Sequence, residues 1–189
     1  MSETLFRTAS LGCGPGSGRE LFGVAVPYNQ TAEVSDATGG GYLERFAPGC
    51  FARSITQRGH KVRLLTGHDH RRLPVGKAVE LVERPDGLHV SFKVAETPSG
   101  DEVLTLVRDG LVDSFSVGFQ PIAHHWEDGT LVRTEAALRE VSVVCEPAYA
   151  GAVIEGVRQN ILGGSRFRAE SSELVPRSLA EARLALLDW

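Results

Sequence analysis

Alternation of apolar and polar positions divides most of the chain into short strands. The clearest case is residues 114–120, where Phe115, Val117 and Phe119 alternate with Ser114, Ser116 and Gly118. A period of two marks a half-buried strand, so the aromatic face packs inward and the serines face the other way. Residues 21–26 read as an earlier core strand ended by Pro27, and residues 42–46 and 61–66 as the next two. Residues 75–82 and 88–94 form a hairpin about Pro85-Asp86-Gly87, because those turn residues separate two alternating runs. Residues 138–145 are strongly β, and Glu140 shares a face with Ser142 and Val144. An acid in so apolar a strand needs a partner. Val153-Ile154 offers a last short strand.

Two stretches switch to helical spacing. Pro48-Gly49 opens a short helix over 50–57, with Phe51, Ser54 and Ile55 on one face and Gly59 as its stop. A second helix runs from 97–102 to about Asp109. Thr97 or Ser99 can cap it, Asp101 and Glu102 lie in its first turn, and Gly110 ends it. Residues 29–40 are polar and run into three glycines, which predicts a flexible loop. His124-His125 precede a hairpin turn at 127–130. Neighbours on a strand point to opposite faces, so the pair is a poor chelate.

The two ends differ from the middle. Residues 1–20 are rich in Gly and Ser and read as a flexible arm; their glycines lack the Lys-Ser/Thr ending of a phosphate loop. Residues 156–176 have linker composition. Ser178 with Glu181 fits a capping box for a tail helix over 177–189. The expected organisation is an arm at 1–20, a folded domain at 21–155, and a linker with a helical tail at 156–189.

Composition narrows the partners. Lys and Arg number 20 against 24 Asp and Glu, which leaves no basic footprint for nucleic acid. No apolar run reaches a membrane span, and no basic flank with an apolar core marks a signal peptide, so a cytosolic location without membrane contact is expected. Cys13, Cys50 and Cys145 are odd in number and far apart, and read as reduced thiols.

The candidate chemistry centres on Ser116. A serine face on a strand is ordinarily solvated surface; the alternative is a nucleophile, which needs a base to take its proton. Residues 61–66 run into Gly67-His68-Asp69-His70-Arg71-Arg72, which sets titratable groups at a strand end. His68 or His70 could be the base, and Glu140 or Glu146 the acid that orients it. A metal hydrolase built on His68, Asp69 and His70 is a rival reading. It lacks the helical His-Glu-x-x-His arrangement and an obvious third ligand.

Several short pieces then fall in a telling order: Phe22-Gly23-Val24-Ala25-Val26-Pro27-Tyr28; Phe46-Ala47-Pro48-Gly49-Cys50-Phe51; Leu64-Leu65-Thr66-Gly67-His68-Asp69, with Gly76 after it; Gly87-Leu88-His89-Val90; Phe115-Ser116-Val117-Gly118-Phe119; and Glu140-Val141-Ser142-Val143-Val144 before Pro147-Ala148. Over residues 20–155 this resembles the prohead proteases of tailed phages, which cleave the scaffold during capsid maturation. The resemblance implies an α+β chain, mainly β with helices: a closed or nearly closed antiparallel β-barrel with peripheral helices, similar to the herpesvirus assemblins. It assigns His68 and Ser116 as base and nucleophile. Assemblins use a second histidine as third member. No histidine follows His125, so an acid is expected there: Glu140, with Glu146 and Asp69 as alternatives. The family usually has Asn where Gly67 stands. The implied activity is that of a serine endopeptidase without a cofactor. It would act on the major capsid protein or its scaffolding region, and on itself, as a homodimer inside the assembling procapsid in the host cytoplasm. A catalytically inactive capsid-assembly component of the same fold is the structural alternative.

Overall fold

A computed structural model of the chain describes residues 5–10, 18–35, 40–145, 149, 154–158 and 166–169. In chain order the strands are β1 (Leu5–Ser10), β2 (Glu20–Pro27), β3 (Ala32–Ser35), β4 (Gly41–Phe46), β5 (Arg63–Thr66), β6 (Gly76–Arg84), β7 (Gly87–Val94), β8 (Ser114–Glu127), β9 (Thr130–Val144), β10 (Ile154–Arg158) and β11 (Arg166–Ala169). Helix α1 (Ala52–Arg58) lies between β4 and β5, and α2 (Pro98–Arg108) between β7 and β8.

All eleven strands belong to one mixed sheet, with the main path β1-β8-β9-β5-β6-β7-β2-β10. The closed antiparallel barrel expected from the resemblance does not form. Among the described residues no ladder joins β1 to β10 at the two ends of that path, and β4–β9, β5–β9 and β11–β6 are parallel pairs. Two of these parallel pairs are made by β9, which is long enough to take two strands along one edge. β4 pairs with Thr130 to Arg133, and β5 with Val141 to Val143. The chain passes from the first to the second through α1.

Several local expectations change with this. The predicted flexible loop at 29–40 contains β3, which pairs antiparallel with β4. The N-terminal segment, read as an arm, contributes β1, which runs antiparallel beside Ser114 to Phe119. Past residue 155, β10 pairs with β2 and β11 with β6. The expected tail helix at 177–189 and Cys13 lie outside the described residues. Gly59 is the C-cap of α1, as expected, but at φ −52° it makes no left-handed turn, and the chain continues through a 3-10 turn at Gly59–Lys61 before β5 starts.

The buried apolar residues form one core cluster. Phe46, Phe51, Phe92, Phe115 and Phe119 are fully buried. Phe46 meets Phe119 edge-on at 5.1 Å between ring centres and Phe51 at 5.4 Å, geometries that favour the ring quadrupoles. Beside them, buried Arg133 donates through Nε to Glu44 Oε2 at 2.7 Å, and Tyr149 Oη donates to Glu44 Oε1 at 3.2 Å. Burying these charges is tolerable because each is paired and hydrogen-bonded.

Helix α2 sets where β8 begins. Thr97 is its N-cap, accepting the Gly100 N–H at 3.2 Å, and Pro98 follows at the first turn, where its missing N–H costs nothing. At the other end Leu111 N–H bonds Leu106 O at 2.9 Å and Gly110 N–H bonds Val107 O at 3.1 Å. This paired closure needs a left-handed residue, supplied by Gly110 at φ 69°. The chain then enters the serine strand within four residues.

Candidate active site

Three strands bring the candidate residues together. β8 and β9 pair so that Ser116 lies opposite Ser142 and Gly118 opposite Glu140. β5 lies along the other edge of β9, with Leu65 opposite Ser142. Directly opposed residues share a sheet face. Ser116, Ser142 and Glu140 therefore cluster on the face turned away from Phe115, Val117 and Phe119. They are not solvated, as a serine face by pattern would be: Ser116 and Ser142 are 0% exposed and Glu140 3%.

His68 reaches this cluster from the end of β5 through an unusual turn. Gly67 has φ 56° and His68 itself φ 58°. A left-handed non-glycine residue is uncommon and is kept only where its surroundings fix it. Here Gly67 N–H donates to Val143 O at 3.0 Å, Asp69 N–H to Thr66 O at 3.1 Å, and His68 N–H to Ser142 Oγ at 3.1 Å. The left-handed φ also accounts for Gly67 where the resembling family has Asn, since these two residues tolerate that conformation best.

The imidazole lies between the serine and the acid. His68 Nε2 is 2.6 Å from Ser116 Oγ, and His68 Nδ1 is 2.5 Å from Glu140 Oε1. An ionised carboxylate only accepts, so Nδ1 carries the proton and Nε2 is left to accept the Ser116 O–H. The second carboxylate oxygen, Oε2, accepts from Ser142 Oγ at 2.9 Å. A histidine so held can take a proton from a hydroxyl while the acid stabilises the charge it gains.

The competing residues lie elsewhere. Ser114 is buried but donates to Asp113 Oδ1 at 2.8 Å. Asp69 is half-buried and paired with Arg71. The Arg71 guanidinium and backbone N–H hydrogen-bond its carboxylate and hold its pKa below the usual value. His70 is exposed. Glu146 lies outside the described residues. Among the described residues no three His, Cys, Asp or Glu side chains group as metal ligands. Cys50 is buried and Cys145 exposed, both as free thiols. Two participants were not singled out from sequence: Ser142, which touches both His68 and Glu140, and Gly118, opposite the acid. Their signal was present in the alternation that puts Ser142 on Glu140's face.

Comparison with known proteins bears on what such a site belongs to. The family model for the caudovirus prohead serine protease matches residues 16–163. The chain belongs to that family. The prohead protease of Escherichia phage T5 is 35% identical over 86 residues, 44% of this chain. The match spans 40% of that relative's length. Among solved structures, the bacteriophage T4 capsid assembly protease aligns over 70% of this chain and all of its own, at 10% identity and a TM-score of 0.45. No helix among the described residues is long and apolar enough to cross a membrane.

Proposed function

We propose that this prohead protease family member is a serine endopeptidase with Ser116 as nucleophile, His68 as general base and Glu140 as the acid that orients it. The observation that carries this reading is the unbroken line of contacts from Ser116 Oγ through the imidazole to Glu140 Oε1, at 2.6 and 2.5 Å. Spacings of this kind are what a nucleophile, base and orienter require.

The chemistry follows from those positions. Ser116 Oγ attacks the scissile carbonyl carbon as its proton passes to His68 Nε2. The C–N bond breaks when the imidazolium returns that proton to the leaving nitrogen, which leaves an ester on Ser116. A water molecule then repeats the sequence and releases the acid product. Throughout, Glu140 fixes the Nδ1–H tautomer and offsets the imidazolium charge.

Family membership points the activity at phage head assembly. The proposed substrates are the major capsid protein or its scaffolding region, and the chain itself. The proposed setting is the host cytoplasm, inside the assembling procapsid, with the enzyme self-associated. Residues 21–155 form the proposed peptidase body, to which the flanking segments add β1, β11 and most of β10. An assemblin-like ancestry for the sheet belongs to the same reading.

The test is co-expression with the neighbouring capsid and scaffold proteins, followed by intact mass. Wild type is expected to process them, Ser116→Ala to leave them whole, and Ser114→Ala to process them still. Processing that survives Ser116→Ala would sink the serine mechanism. No processing by wild type would favour the inactive assembly component.

A further inference from the structure

We infer that Ser142 is a fourth member of the site, a positioning residue that aims both the base and the acid. This rests on the serine peptidase reading above and assigns a role that the nucleophile, base and acid do not cover. Ser142 is fully buried, in β9, between Leu65 of β5 on one side and Ser116 of β8 on the other. Its hydroxyl has one proton and two lone pairs. The proton goes to Glu140 Oε2 at 2.9 Å, and a lone pair receives the His68 backbone N–H at 3.1 Å.

Each of these bonds restrains a different freedom. A glutamate carboxylate turns easily about its last torsion, which is broad and two-fold. With Oε2 tied to Ser142, Oε1 is left facing His68 Nδ1. The second bond acts on the backbone of a residue in the left-handed region, at φ 58°, where a non-glycine residue is strained and needs external support. One hydroxyl thus fixes where the imidazole starts from the chain and where its carboxylate partner points. Its single proton is committed to Glu140, so Ser142 does not donate to the Ser116 oxygen. Ser142 need not touch the substrate to act in this way.

A merely structural role would be to satisfy a buried carboxylate, with no consequence for the imidazole. Two readouts on the full chain separate these cases. The first is the far-downfield proton resonance of the His68 Nδ1–H, assigned by its absence in His68→Gln. It should move upfield or vanish in Ser142→Ala. Ser142→Cys, which keeps the volume but is a poor donor, is read alongside, so that a folding failure of one variant leaves the other. The second readout is the rate at which a fluorophosphonate probe modifies Ser116. Ser142→Ala should slow it about tenfold to a hundredfold, the range for lost supporting contacts and small misplacements. Added to Glu140→Ala, it should cost clearly less than the product of the two single losses, because much of what it aims is gone.

An unchanged resonance in folded Ser142→Ala and Ser142→Cys, or losses that simply multiply, would overturn the assignment. The underlying peptidase reading fails differently. A wild-type chain that the probe never labels at Ser116, yet whose resonance is lost in the Ser142 variants, would remove the nucleophile and leave Ser142 positioning the His68–Glu140 pair.

Discussion

At Gly118 the sheet has no room for a side chain. A Cβ there would fall on Glu140 Oε1, the same oxygen that receives the His68 Nδ1–H, and would stand 3.0 and 3.1 Å from Glu140 Cγ and Cδ. Those atoms belong to a side chain and not to the backbone, so the strand can keep its course by displacing the Glu140 carboxylate from His68. Gly118→Ala should therefore unfold close to the wild-type temperature yet process co-expressed capsid protein roughly a hundredfold more slowly, the scale of a misplaced catalytic group. A variant of normal activity would show that Glu140 can work from another rotamer. The same residues show what a sequence carries at this scale. Glu140 was legible because an acid in an apolar strand demands a partner. Its neighbour Ser142 was legible only as a residue on the same face, since nothing in a serine's type separates a buried hydrogen-bonding role from a solvated one. His68 and His70 could not be told apart by strand alternation either, because the chain leaves β5 through two left-handed residues and the period of two ends there.

Helices and strands were legible where their signals are local. The α2 cap by Thr97 and its stop at Gly110 are both as the sequence predicts, since capping depends on residues three or four positions apart. That helix also tests the independence of scaffold and site. Thr97→Ala removes the bond to Gly100 N–H and should lower stability by about 1 kcal/mol. It leaves the Ser116–His68–Glu140 line intact, so urea unfolding should shift while the processing rate at moderate temperature does not. A fall in that rate would mean that the α2 end moves the start of β8. The β8–β9 hairpin shows the opposite case. Its strands run to Glu127 and back from Thr130, yet the alternation read from sequence stops near Gln120. Register shifts leave Arg139 and Thr134 of β9 and Ile122 of β8 without a partner across the hairpin, and the extra residue at Ile122 breaks the period of two in β8. β3 escaped notice for a related reason: Ala32 is half-buried and Glu33 exposed, and Val34 alone among its described side chains is buried.

At the scale of the whole molecule, the parallel pairings joining β4 and β5 to β9 link segments tens of residues apart. No local pattern encodes them. What holds such distant segments is partly polar, and this makes stability depend on pH. Buried Glu83 of β6 accepts from Tyr28 Oη and from the Phe51 N–H beside α1, while its Oε2 has no hydrogen-bond partner among the described residues. Burial raises its pKa above 4.5 despite those two donors. The native state then holds this proton at pH values where the unfolded chain has lost it. Stability from this group is full below about 4.5 and falls as pH rises through the raised native value. Asp69 and Glu127, held low mainly by Arg71 and Arg45, act in the opposite sense, but only at more acid pH. Burial raises the Cys50 thiol and the Tyr28 phenol, which lose stability only above their ordinary values of 9.0 and 10.0. Between these limits Glu83 dominates among the shifted groups. Glu83→Gln cannot ionise, so its urea midpoint should fall less than that of wild type between pH 5 and pH 8. Parallel curves for the two proteins would mean that Glu83 is charged in the fold at pH 5, and that its orphaned oxygen has found a donor such as water.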